Sequence, residues 1–478
     1  MNTLNRKTTS VNTYTERIIQ FGEGNFLRAF ANWMIHEMNK KANFDGGVVV
    51  VQPINQGLVK MLNDQDGLYT LYLNGIKNGK AISEHEIIDC IQRSINPYEN
   101  YNDYLANAKN PDLRFVISNT TEAGISYNEK DTLNDKPQSS FPGKLTALLY
   151  QRFQAFNGAS DKGLIIIPCE LIDRNGDNLK RIILQYASEW KLGNDFIEWI
   201  NEDNIFCNTL VDRIVPGYPK DKMEAITKEL GYIDNLVVEG EQFHLWVIEG
   251  PESVKEEFPS EPCRLNVVFT NNMEPYRTRK VRILNGAHTT LVPVGYLYGI
   301  DRVRESLEDK IVGTFLQDAL FKNICPTLDL PDEELSQFSN DVLDRFRNPY
   351  LEHELMSISL NSISKYKTRV LPSVLEFIKR KNALPSHLLF SLAALIAFYK
   401  GDRNGTPITL KDDTAVLEFF NNQWKTNNVS IVVKATLSNI DFWETDLTAI
   451  SGLENEVNKN LESIINKGMT SALKTFMN

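Results

Sequence analysis

The stretch Ile18-Ile19-Gln20-Phe21-Gly22-Glu23-Gly24-Asn25-Phe26-Leu27-Arg28-Ala29 constrains this 478-residue chain more than any other. A short apolar run meets a turn with two glycines. Phe26, Phe30, Trp33, Met34 and Met38 then follow at helical spacing. Four consecutive valines at 48–51 form a second strand, and apolarity without alternation predicts burial on both faces, as in a parallel sheet. Strand, glycine turn, helix, strand is a βαβ unit. In such a unit Gly22 permits the tight turn and Gly24 admits a pyrophosphate close to the backbone. The new helix offers free N–H groups to that anion. Residues 18–29 are therefore the expected dinucleotide contacts, with Arg28 adding charge. Leu27 stands where a third glycine would complete the fingerprint, so a plain strand-turn-helix connection also fits.

The second strand ends in Gln52, where an Asp or Glu commonly meets the ribose. Gln52 can bond a hydroxyl but brings no charge. No arginine follows closely to take a 2′-phosphate, and Lys60 is the first cation. NAD(H) is expected over NADP(H). Ser118-Asn119-Thr120-Thr121-Glu122-Ala123-Gly124 follows another apolar strand, so Asn119 and Glu122 either face the cofactor or belong to a polar turn.

Strands are further predicted at 68–73, 115–118 and 163–168, with a pair around 236–248 and 264–269. Helices are predicted at 142–155 and 178–190. After about 275 strand signals nearly vanish. Helical patterns run at 280–296, 303–324, 332–346, 371–382, 386–400, 413–424 and 444–475. The expected organisation is a Rossmann-type α/β domain over 1–275 and a mainly α-helical domain over 276–478.

Composition removes other classes. The net charge of −11 argues against general nucleic-acid binding, which needs clustered Lys and Arg. Five widely spaced cysteines and no CxxC read as reduced thiols in a cytoplasmic protein. Six scattered histidines and no HExxH give no metal site, and no metal is expected. The apolar stretch 388–399, interrupted by Ser391, is too short to span a bilayer, so no membrane partner is expected. His36 and His244 sit in apolar-rich stretches and read as structural. The sequence assigns no oligomeric state.

The segment 277–290 contains Lys280, Asn285 and His288. On an uninterrupted α-helix Asn285 lies about 140° and His288 about 80° from Lys280, so all three fit one broad face. Gly286 costs ~1 kcal/mol there relative to alanine, which suggests close approach by a partner or ligand. By itself such a face also fits a solvated helix surface.

The spacing Lys280-x4-Asn285-x2-His288 resembles the signature of the polyol-specific long-chain dehydrogenases, the mannitol dehydrogenase family. The segments at 22–29, 121–124, 211–216 and 246–249 are similar to family segments in the same order. The resemblance covers roughly 17–375. It implies a Rossmann-type domain, a helical domain and an active site between them. Stretches 18–29, 168–179 and 357–372 resemble the branch acting on hexuronates. Leu171 stands where polyol enzymes carry a substrate-contacting Asn, and Ser357 where they carry an Arg. Both departures argue against mannitol as substrate.

The resemblance implies hydride transfer between NAD(H) and a small sugar acid. Lys280 is the general acid/base, with its pKa lowered by burial and by the positively charged cofactor. Asn285 donates to the oxyanion. His288 orients the substrate oxygen or tunes Lys280. Lys365, Lys367 and Arg369, read as a strand or extended loop, share one side and at least one meets the carboxylate. Alternatively, they form a solvated basic run. Asp212 either contacts substrate or pairs with Arg213. Competing readings are a fructuronate reductase, a neutral-polyol dehydrogenase, and a non-catalytic nucleotide sensor.

Overall fold

The computed structural model describes residues 1–77 and 79–478. The chain divides into two compact units, Met1–Asn74 with Ile82–Met273, and Gly75–Ala81 with Glu274–Asn478.

The first unit contains β1 (Glu16–Phe21), β2 (Gly47–Val51), β3 (Tyr69–Lys77), β4 (Lys80–Ile88), β5 (Ile91–Ile95), β6 (Phe115–Ser118), β7 (Ile165–Pro168), β8 (Ile205–Phe206), β9 (Asn208–Asp212), β10 (Val238–Glu241), β11 (Leu245–Glu249) and β12 (Val267–Thr270). Six strands form one sheet in the order β5-β2-β1-β6-β7-β8, and every pairing in it is parallel. This is the doubly wound order, whose switch point falls between β1 and β6.

The valine run explains itself in this sheet. Val48 and Val50 enter one core with Ile18, Phe115, Phe30 and Met34. Val49 and Val51 enter a second with Ile19, Phe21, Val116, Leu145 and Ile183. Each fully buried valine, isoleucine or phenylalanine contributes about 1.5–3 kcal/mol, so both faces reward apolar residues and alternation disappears.

Two smaller sheets, β10-β3-β4 and β12-β11-β9, complete the unit. The predicted strand pair is realised by β11 and β12, which run parallel, while β10 joins β3 instead. β4 went unpredicted because most of its residues are exposed, leaving no apolar pattern.

Helices dominate the second unit. Ser386–Phe398 is buried nearly all round and packs on Gly286–Tyr298 and Leu453–Lys467. Ser391, the polar break in that run, donates to the Thr290 carbonyl at 2.9 Å. The predicted helix at 444–475 is three pieces, a short turn at Leu447–Ala449, then Leu453–Lys467 and Met469–Met477. Gly468, at φ +77°, separates the last two. The region 303–324 also breaks, at Asp309, whose carboxylate caps Ile311 and Val312. Among the described residues no helix is long and apolar enough to cross a membrane.

Candidate active site

In the first unit the candidate nucleotide residues gather at the carboxyl ends of β1 and β6. Gly22 has φ +112°, and a Cβ there would lie 2.6 Å from the Asn119 carbonyl oxygen. Only glycine lets the turn sit against the loop after β6. Of residues 18–29 only Gly24 is exposed, and a Cβ built on it meets no atom within 4 Å. The backbone at Gly24 therefore faces open space.

Most other residues of the stretch hold the turn in place. Ile18, Ile19, Phe21, Leu27 and Ala29 are core. Gln20 exchanges amide hydrogen bonds with Asn32 and donates to Gly22 O at 2.8 Å. Phe26 stacks on Phe30.

Arg28 corrects the sequence reading. Its guanidinium is buried and donates to the carbonyls of Glu23 and Leu236 and to Asn25 Oδ1 at 2.7 Å. It also lies over Tyr69, and burial lowers its pKa. Its donors are turned to the protein's own oxygens instead of outward to a phosphate. Asn119 and Gln52 are likewise committed. Asn119 Nδ2 donates to Cys169 O at 2.8 Å, and Gln52 Nε2 donates to the carbonyls of Ile54 and Asn55. Glu122 is exposed, one residue after Thr121, whose φ is +75°.

Sequence reasoning missed the work of Glu170. This carboxylate, 2% exposed, accepts from Ser118 Oγ, Thr120 N and Thr120 Oγ1 at 2.9–3.0 Å. Burial pushes its carboxyl up while those donors oppose the shift. It anchors the loop that backs Gly22. Its signal was its place at the end of β7, next to Leu171, which is 63% exposed.

At the end of β9, Asp212 is buried. Arg213 is spent on the carbonyls of Ala29, Glu241 and Phe243 and lies 4.2 Å over Trp33. Burial lowers its pKa to about 9. His36 and His244 are satisfied, as read from the sequence. His36 meets Asp89 and Glu86 at 2.7 and 3.3 Å, and His244 accepts from Asn266 N at 2.9 Å. All five cysteines are free thiols.

In the second unit the expected uninterrupted helix does not occur. Lys280 ends the helix Glu274–Lys280, a π-helical segment spans Val281–Asn285, and an α-helix resumes at Gly286. Bonds to i+5 widen the turn, so 100° per residue does not hold between Lys280 and Asn285. Such segments recur at functional sites. A Cβ on Gly286 would lie 3.2 Å from the Arg369 carbonyl oxygen. The close approach inferred at this glycine is made by the helix Ser362–Arg369.

That helix overturns the extended reading of 365–369. Lys365 and Arg369 are four residues apart and share a face, while Lys367 points elsewhere and pairs with Glu444 at 2.8 Å. Lys365 Nζ donates to Ile358 O at 2.8 Å. An alternating pattern of cations looks the same in strand and helix until neighbours choose between them.

His288 stacks on Phe346 with centroids 4.0 Å apart and meets His353 edge-on at 5.1 Å. Its Nε2 is buried without a hydrogen-bond partner. Burial, then His353, Arg345, Arg369 and Lys365, push its pKa well below the usual histidine value, so the ring is neutral. Arg345 and His353 were missed. Arg345 sits in an apolar stripe with Phe338, Val342 and Phe346, all buried, on Asp332–Phe346. A cation inside such an i, i+4, i+7, i+8 stripe was the available signal.

A doubly wound parallel sheet with a glycine turn on β1, and a helical unit carrying Lys280, Asn285 and a His288 whose Nε2 is buried, define a Rossmann-type oxidoreductase. Residues 16–261 match the mannitol dehydrogenase Rossmann domain, and 272–465 the mannitol dehydrogenase C-terminal domain. The chain belongs to the mannitol dehydrogenase family. It is 48% identical to the altronate oxidoreductase of Enterobacter sp. (strain 638) over 99% of each chain. It is 47% identical to that of Pectobacterium carotovorum subsp. carotovorum (strain PC1) over the full length of both. The fold is shared with D-sorbitol dehydrogenase at TM-score 0.82 and 22% identity, over 98% of this chain and 100% of that one. It is also shared with Pseudomonas fluorescens mannitol 2-dehydrogenase at TM-score 0.63 and 22% identity, over 99% of each.

Proposed function

We propose that this chain is an NAD-dependent oxidoreductase of the cytoplasm that interconverts D-tagaturonate and D-altronate in hexuronate catabolism. Residues 1–275 bind the nucleotide and 276–478 supply substrate binding and catalysis. The observation that carries the sugar-acid reading is the neutral, unpartnered His288 with Arg345, Lys365 and Arg369 near it. A buried polar atom without a partner costs about 1–3 kcal/mol, which a bound hydroxyl would recover. Cations around it suit an anionic sugar better than a neutral polyol. Full-length similarity to altronate oxidoreductases supports the particular sugar.

The glycine turn fits a dinucleotide, since the exposed backbone at Gly24 has open space before it. When bound, NADH supplies the hydride that reduces the ketone carbon. Lys280 gives its proton to the carbonyl oxygen as negative charge develops there, and in the reverse direction takes the alcohol proton. Asn285 donates to the same oxygen. His288 Nε2 bonds a neighbouring substrate hydroxyl. Lys365 keeps one N–H on Ile358 O and has two left for the carboxylate. Arg369 adds charge from the same helix face, and Asp212 is assigned a substrate contact.

The test follows NADH absorbance without added metal, with tagaturonate, fructuronate and fructose in parallel. Rapid oxidation with tagaturonate alone is expected. Preference for fructuronate or fructose overturns the sugar and keeps the chemistry. Bound NADH with no turnover on any of the three favours the nucleotide-sensor reading.

A further inference from the structure

The carboxyl end of β2 lacks an acid in sequence, because Gln52 stands there and turns its amide to the carbonyls of Ile54 and Asn55. The fold brings one from elsewhere. Glu23 lies between the two glycines of the β1 turn, is 7% exposed, and accepts Leu58 N at 3.2 Å through Oε1. A Cβ on Gly57 would lie 1.9 Å from Glu23 Oε1 and 2.6 Å from Gln52 Oε1. Both side chains thus converge on one glycine in the loop following β2. Burial raises the Glu23 carboxyl, and the N–H groups of Leu58 and Glu23 with nearby Arg28 oppose that shift.

The cations that would favour a phosphate there are otherwise engaged. Arg28 is spent on carbonyls, and Lys60 pairs with Asp64 at 2.7 Å. In doubly wound folds the adenosine ribose sits at the end of the second strand, where a carboxylate takes the 2′-hydroxyl and repels a 2′-phosphate.

We propose that Glu23 discriminates NAD(H) from NADP(H) by supplying from the β1 turn the carboxylate that β2 lacks. This rests on the nucleotide reading above. Gly57 has its own reason within it, since any side chain would displace the carboxylate.

The experiment titrates NADH and NADPH against wild type, Glu23→Gln and Gly57→Ala by calorimetry, alongside kcat/KM with each cofactor. Wild type is expected to prefer NADH. Glu23→Gln keeps the acceptor for Leu58 and removes only the charge, so the NADH-to-NADPH affinity ratio should fall at least tenfold. Gly57→Ala should lower the same ratio with every charge retained. An unchanged ratio in Glu23→Gln, or a wild type that prefers NADPH, overturns the assignment while leaving nucleotide binding intact. A wild type that binds neither nucleotide overturns the nucleotide reading and this proposal with it.

Discussion

His36 and His288 both lie in helical segments, one buried in the first unit and one half-buried in the second, and their surroundings differ in kind. His36 is enclosed by acids, with Asp89 on Nδ1 and Glu86 on Nε2. Burial alone would lower its pKa, but those two hydrogen bonds and charges outweigh it and raise the value. His288 is enclosed by aromatic rings and cations, its pKa is lowered, and Nε2 has no partner. The first histidine is complete within the protein and serves the fold. The second leaves Nε2 without a partner, which is why a substrate contact is proposed for it. Arg28 and Lys365 repeat the contrast. One cation spends its donors on backbone carbonyls and an asparagine, and the other keeps donors in reserve.

The largest effect belongs to Lys280. Lys280→Ala should lower kcat by ~10² or more while NADH binding, followed by fluorescence titration, stays within threefold. Turnover near wild type would remove Lys280 from catalysis.

The two histidines should then separate cleanly. His288→Asn should lower kcat/KM for the sugar acid by about 10- to 100-fold with little change in the urea midpoint. His36→Asn should leave kcat/KM close to wild type and cost about 2–4 kcal/mol of stability, because buried Asp89 loses the hydrogen bond and charge on its Oδ1. The reverse pattern would break the comparison.

A smaller effect divides the basic helix. Lys365→Ala should raise KM for the sugar acid about tenfold. Lys367→Ala should change it less than threefold, since its partner Glu444 is exposed. Equal effects would return the three cations to a solvated run.

The smallest effect is in pH. His36 has a folded pKa above its unfolded value near 6.5, so its contribution is complete below pH ~6.5 and lost as pH rises through the folded value. His288 has the opposite sign. Its unfolded form takes a proton below pH ~6.5 and its folded form does not, so stability falls as pH falls. Urea midpoints from pH 5 to 9 should lose the alkaline decline in His36→Asn and soften the acid decline in His288→Asn.

The sequence by itself determined the parts with strong local periodicity. The valine run, the glycine turn and the helices at 332–346 and 371–382 follow from hydrophobic spacing and backbone freedom. The Lys280, Asn285 and His288 segment was legible as a spacing, and Gly286 as a point of close approach. Tertiary structure decided what each polar group does, because hydrogen-bond partners come from residues distant in the chain. Arg28 looked like a phosphate ligand until the Leu236 carbonyl took a donor. Residues 365–369 looked extended until a helix formed and turned Lys367 away. The π segment at Val281–Asn285 left no mark in the pattern, since widening one turn needs no distinctive residue. Glu23 was legible only as one of the expected nucleotide contacts at 18–29, and the Leu58 N–H that its carboxylate accepts comes from the loop after β2. Burial and pairing are properties of the folded neighbourhood, so residue identity sets what a side chain can do and packing selects which of those things it does.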